Sequence, residues 1–137
     1  ELRGADGGPW SRVCALPAFW TGILYDEEIL DQVSSIIKSW SYDQVKNFYK
    51  EVRINGFNSY TPDKEDLKNF SKKIIDLSSI GLKKRNIENA GKTEDSFLEP
   101  LIEIIKSGES PALKWKKLYL NQWSNNIDML YTNNYFK

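Results

Sequence analysis

From Ser11 to Trp123 the apolar residues return every three or four positions, in runs that glycine, proline or an Asn-Gly pair repeatedly closes. This period narrows the possible folds more than any other feature of the chain. A spacing of three and four lines one face of a helix, whereas a strand with one buried face needs strict alternation. Val13, Leu16, Phe19, Trp20, Ile23 and Leu24 predict a first helix, with Ser11 as its N-cap and Pro17 as a kink. Apolar residues occupy most of its circumference, so deep burial is expected. Asp26 reads as the cap of a second helix, in which Ile29, Val33, Ile36, Ile37 and Trp40 form one stripe and Glu27 and Glu28 favour the positive end of the helix dipole.

Ser41 and Gln44 make a capping-box signature for a third helix carrying Val45, Phe48, Tyr49 and Val52, which Asn55-Gly56 should end. Thr61-Pro62 reads as the cap and first position of a fourth, with Leu67, Phe70, Ile74, Leu77 and Ile80 inside and Gly81 as its stop. The polar run 83–94 reads as a linker or hairpin. Thr93 is expected to cap a fifth helix holding Phe97, Leu98, Leu101, Ile102 and Ile105, and Ser110-Pro111 to open a sixth holding Leu113, Leu118 and Trp123. Ile127 to Tyr131 has room for one short terminal helix.

Residues 1–10 differ. Gly4, Gly7, Gly8 and Pro9 crowd a stretch without helical periodicity, which predicts a strand end followed by a tight loop. The expected segment is therefore mainly α, about six helices after one strand end. A lone strand end cannot pair its own backbone groups, so the rest of its sheet is expected upstream. The start at Glu1, without methionine, also reads as the interior of a longer protein.

Composition removes several function classes. Nineteen basic and nineteen acidic residues cancel, leaving no overall field to attract nucleic acid or an anionic membrane. The longest apolar run, Val13 to Tyr25, is broken by Pro17, Thr21 and Gly22 and is too short to span a bilayer. The absence of histidine excludes a histidine triad, a histidine base and a histidine-ligated metal within these 137 residues. Cys14, the single cysteine, has no intrachain partner and suits a reducing compartment. A 40% hydrophobic content is enough for one core, and the five tryptophans need large buried sites or surfaces covered by something else.

Alternation in a strand would put Glu1 and Arg3 on one face. A carboxylate suits magnesium and a guanidinium fork suits a phosphoryl group, so the pair fits a site handling metal-bound ATP; a surface ion pair is the other reading. Lys83-Lys84-Arg85 reads as a solvated helix end compensating the dipole rather than a phosphate or nucleic-acid contact.

The run Glu1-Leu2-Arg3-Gly4-Ala5-Asp6-Gly7-Gly8-Pro9-Trp10, with Arg12, Cys14-Ala15-Leu16-Pro17-Ala18-Phe19-Trp20, Gly22 and Leu24-Tyr25-Asp26, closely resembles glutamate-cysteine ligases of the plant and proteobacterial class. The stretch from Leu67 to Gly81-Leu82-Lys83-Lys84-Arg85, and that from Gly108 through Ser110-Pro111-Ala112 to Trp123, resemble the C-terminal region of the same family. The resemblance implies that residues 1–137 are a single C-terminal segment of a larger catalytic domain, with 1–10 a strand end and Gly-rich active-site loop and 11–137 a helical region. The intact enzyme would be α+β, a glutamine-synthetase-like antiparallel sheet funnel with helices.

By the same resemblance the protein would use ATP and magnesium to join glutamate, through its γ-carboxylate, to cysteine. Arg3 would be catalytic, meeting the phosphoryl group, and Glu1 would be the metal ligand. Asp6 and Trp10 would support the substrate or the loop, Trp10 by packing beneath it. Cys14 matches half of a regulatory disulfide of plant members, against the plainer reading of a small buried side chain. The expected partners are the two substrates and the missing N-terminal part of the same chain; a homodimer stays open, and neither nucleic acid nor membrane is expected. The location would be the cytoplasm of a bacterium or the plastid of a plant. Ser11 stands where a basic residue is common and Leu2 where methionine is common, and neither touches the proposed chemistry. Another carboxylate-amine ligase and a non-catalytic helical interaction module stay open as alternatives.

Overall fold

A computed structural model describes residues 8–89 and 91–132. Four of its helices begin where short polar side chains accept a bond from a free backbone N–H. Asp26 Oδ1 accepts from Ile29 N at 3.0 Å and opens α2, Glu27–Ile37. Ser41 and Gln44 form the reciprocal capping box of α3, Tyr42–Asn55, with bonds of 3.3 and 2.8 Å. Ser110 accepts from Leu113 N at 3.2 Å and opens α6, Pro111–Asn121, with Pro111 in the first turn. Gly56 ends α3 with φ +54°, a conformation glycine adopts at little cost.

The remaining elements are α1, Trp10–Leu24; α4, Leu67–Arg85; α5, Glu99–Ser107; and a short α7, Met129–Thr132. Between α4 and α5 the two-residue strands β1, Glu88–Asn89, and β2, Lys92–Thr93, pair antiparallel, and a 3₁₀ turn at Glu94–Leu98 leads into α5. The segment is mainly α, as its periodicity predicts.

Several boundaries differ from the sequence expectation, each for a tertiary or loop reason. Position Pro9, not Ser11, precedes α1, and its carbonyl accepts from Arg12 N and Val13 N. Pro17 lies inside the unbroken helix. Thr61-Pro62 does not start α4: Thr61 and Glu65 bond to each other through backbone and side chain, and Lys64 takes φ +67°, which stops helical propagation there. Asp66 caps the helix instead, accepting from Asn69 N.

Gly81 does not end α4. The helix runs four residues further to Arg85 and closes on Asn86 in the left-handed region. Gly81 is a crossing point: a Cβ built there would lie 1.8 Å from the Gly22 carbonyl oxygen of α1, and one built on Gly22 would lie 2.2 Å from the Ser78 carbonyl oxygen. Two glycines thus let the backbones of α1 and α4 touch. Ser78, fully buried, donates its hydroxyl to the Phe19 carbonyl at 2.8 Å across the same crossing.

This crossing sets the buried stripe of α4 at Ile74, Ile75, Ser78, Gly81 and Leu82, so Ile80 faces outward instead of inward. Ile75, Leu82 and Leu98 form the core, with Ala18, Phe19, Leu101, Ile102 and Ile105 packed on it. A second cluster joins Trp40, Phe48 and Phe70, where the Trp40 ring lies 5.8 Å from Phe48 and 5.6 Å from Phe70 and its N–H reaches Asp63 at 2.6 Å. Trp40 therefore sits beyond the end of α2, tying the α2–α3 connection to α4. Thr93 caps no helix amide; its hydroxyl bonds the Asp95 carboxylate.

The deep burial expected of α1 is not found. Only Ala15, Gly22 and Ile23 are buried, and Val13, Leu16, Trp20 and Leu24 are 42–54% exposed. The small-residue face is the one that meets α4, and Val13, Leu16, Trp20 and Leu24 point away from it.

Candidate functional site

Glu1, Arg3 and Asp6 lie outside the described residues, so the candidate site is seen only from Gly8 onward. Pro9 makes the first turn of α1 its hinge, and the helix then carries Arg12 back toward the Gly-rich segment. A Cβ on Gly8 would come within 2.8 Å of the Arg12 guanidinium, so Arg12 rests directly against the Gly8 backbone. A larger residue at position 8 would displace this flexible guanidinium. Sequence reading placed Arg12 in the motif without giving it a task; its spacing of four from Gly8, at a helix start, is the signal that brings the two together.

The mouth of this region is a cavity of about 420 Å³ where Pro9, Ser11 and Arg12 face Glu103, Ser107 and Lys114 of α5 and α6. Its lining sets two cations, Arg12 and Lys114, against two carboxylates, Glu103 and Glu109, with two hydroxyls, so the side chains carry no net charge and only the free backbone N–H groups and dipole at the N-terminal end of α1 favour an anion. Trp10, 75% exposed at the first position of α1, is not packed away as expected but stands beside this opening in sequence. Cys14 is half-buried and free, and borders a cavity of about 250 Å³ with Thr21, Leu82, Glu94 and Phe97. The small-buried-side-chain reading is thus only partly met.

Among the described residues no three acidic or cysteine side chains converge as a metal site. These residues alone therefore do not supply a magnesium donor set, and a ligand such as Glu1 would have to act with groups beyond them. A groove of about 940 Å³ between α2 and α4 sets Glu28, Asp31, Glu65 and Asp76 against Lys72 and Lys73, an acidic excess that does not suit an anionic ligand.

The Lys83-Lys84-Arg85 cluster occupies the last turn of α4, as its dipole reading requires, but each residue meets an acid rather than water alone. Lys84 Nζ lies 2.6 Å from Glu28 Oε2 and 3.2 Å from Asp26 Oδ1. Arg85 Nε donates to Glu94 at 2.9 Å and its guanidinium sits 5.3 Å over the Tyr25 ring, while Lys83 lies 3.4 Å from Asp95. The Ile29 backbone bond, helped by Lys84, holds the Asp26 carboxyl below its ordinary value, and the Glu28 and Asp26 bonds raise Lys84. The Thr93 hydroxyl, then Lys83, lowers Asp95. These contacts clamp α4 to the start of α2 and to the turn before α5, a structural task that uses up the cluster's charge.

The described residues thus form a helical scaffold in which the start of α1 opens on a mouth of balanced charge. The chain belongs to the glutamate-cysteine ligase family 2 (GCS2), whose family model it matches over residues 1–133. Among curated proteins it is 36% identical over 132 residues to a chloroplastic glutamate–cysteine ligase of Medicago truncatula, which covers 96% of this chain and 25% of that protein. It is 37% identical over the same length to the chloroplastic enzyme of Nicotiana tabacum and 34% identical to that of Arabidopsis thaliana. The chain therefore spans about a quarter of the length of these relatives. No described helix is long and apolar enough to cross a membrane.

Proposed function

We propose that this chain forms one edge of the active site of an ATP-dependent glutamate-cysteine ligase, whose other edges lie elsewhere in the full-length protein. One observation carries the reading: the family match spans residues 1–133, the Glu1–Trp10 motif included, and over 132 residues the chain is 36% identical to a protein named for that activity. In the proposed reaction a γ-carboxylate oxygen of glutamate attacks the terminal phosphorus of ATP. The bridging P–O bond breaks and ADP leaves. The cysteine amine then attacks the γ-carbonyl carbon, a C–N bond forms, the C–O bond to phosphate breaks, and the amine proton is released.

In this scheme Arg3 meets the transferred oxygens as charge grows on them, a task for which its planar, permanently charged fork is suited. Glu1 would hold magnesium, which when bound offsets charge on the phosphates. Arg12, lying against Gly8, would hold the exit of the Gly-rich loop that follows both residues. The reaction belongs to a reducing compartment, bacterial cytoplasm or plastid, where both the cysteine substrate and Cys14 stay as thiols.

Glutamate labelled with ¹⁸O in its γ-carboxylate tests the scheme in the full-length enzyme: one labelled oxygen per turnover should appear in inorganic phosphate. Product formed without label in phosphate would exclude the acyl-phosphate route. Arg3→Lys should lose most turnover with little change in thermal midpoint, and near-normal turnover would remove Arg3 from the site. The 137-residue chain alone should make no product.

A further inference from the structure

The outer face of α1 carries Trp10, Val13, Leu16, Pro17, Trp20 and Leu24, spaced so that all six fall on one side of the helix, opposite Ala15 and Gly22. The five large apolar side chains among them are between 42 and 75% exposed and together leave roughly 550 Å² of apolar surface, near the upper end of what the largest patch on a monomer reaches, and patches of that size are often functional. Arg12 is the only charged residue among the fifteen of α1, and the helix has no acid in its first turn and no base in its last. Solvent-facing helices carry polar residues on their free side, as α4 does with Lys72, Lys73 and Asp76. A helix apolar all round is one with apolar neighbours on both sides.

We infer that this outer face is the surface on which the remaining three-quarters of the ligase chain docks, so that α1 is the middle layer between the helices described above and the rest of the enzyme. Three observations select that occupant. The chain covers only 25% of the relative it matches, so most of such a protein's mass is available to cover the face. The face begins at Trp10, immediately after the Gly-rich motif, so chain already joined to α1 reaches it without a long connection. Two copies of this helix face to face would bury only about 1,100 Å², at the low end of specific interfaces, where weak and transient contacts lie. A contact within one polypeptide is not weakened in that way, because no translational freedom is lost in forming it. The Gly22–Gly81 crossing holds α1 rigidly from behind and so presents the face in a fixed orientation.

The inference rests on family membership and not on the proposed chemistry, and its test reads no activity. In the full-length protein carrying Cys14→Ser, single cysteines are placed as Trp20→Cys, Leu16→Cys and Tyr42→Cys, and maleimide labelling is followed by peptide mass. Tyr42, 79% exposed at the start of α3, is the open control. Positions 16 and 20 should label at least about tenfold more slowly than position 42, at a rate unchanged by dilution. Leu16→Cys keeps the test intact should Trp20→Cys fail to fold. Equal labelling at all three positions overturns the inference. Protection that disappears on dilution assigns the face to a second copy, and protection that needs anionic vesicles assigns it to lipid; either result also overturns it.

Discussion

Replacing Gly81 with alanine tests the crossing on which the whole packing depends. The new methyl would fall 1.8 Å from the Gly22 carbonyl oxygen, whereas ordinary contact starts near 3.4 Å, so α1 and α4 would have to part by about 1.6 Å. That movement stretches the 2.8 Å bond from Ser78 Oγ to the Phe19 carbonyl and leaves a fully buried hydroxyl without it. Overpacking costs about 1–3 kcal/mol and an unsatisfied buried group about 1–3 kcal/mol, against roughly 1 kcal/mol gained from the better helix propensity of alanine. A net loss of about 3 kcal/mol is expected. With a urea m-value of about 1.5 kcal/mol/M for a chain of this size, the unfolding midpoint followed by circular dichroism should fall by about 2 M. Ser78→Ala alone should cost about 1 kcal/mol, and the double substitution less than the sum, because the same bond is lost twice. A midpoint for Gly81→Ala that is unchanged or higher would mean that the helices do not touch there, and the reasoning fails.

Other perturbations separate local from tertiary effects. Phe70→Ala should destabilise by about 2–3 kcal/mol, since its half-buried ring joins Trp40 and Phe48, and tryptophan fluorescence should shift to the red as Trp40 meets water; an unshifted spectrum would contradict the cluster. Asp26→Ala should lower the urea midpoint at neutral pH. Because the folded-state carboxyl titrates below its ordinary 3.8, its contribution is present above that pH and fades as pH falls through the folded value, so wild type and variant should converge in acid; parallel curves would refute the cap. Lys84 has the opposite sign: its pKa is raised above 10.5, so its contribution holds below that pH and is lost as pH climbs past it, and Lys84→Met should differ from wild type at neutral pH but not in strong base.

What the sequence made legible follows the range of the interaction concerned. The caps at Asp26, Ser41 with Gln44, and Ser110 could be read because each is a bond between residues three apart, complete within its own segment. Gly81 was misread as a helix stop because its purpose is a contact with Gly22, fifty-nine positions away, which no local pattern encodes. The start of α4 was misplaced because Lys64 adopts a left-handed turn that lysine rarely signals. The burial of α1 was overstated because its apolar outer face has no cover among the described residues. For the site, Glu1 and Arg3 could be reached through the family's motif and not from spacing, since E-x-R on a strand is common in surface ion pairs. The closeness of Arg12 to Gly8 emerges only once α1 is seen to start at Trp10.

The proposal that this segment brings Glu1 and Arg3 to a ligase active site is tested by product formation in the full-length protein expressed from the extended reading frame. With ATP, magnesium, glutamate and cysteine it should form γ-glutamylcysteine, and Glu1→Gln or Arg3→Ala should abolish that product while leaving the folded state intact. A folded full-length protein that forms no γ-glutamylcysteine, or one whose turnover survives both substitutions, would contradict the claim.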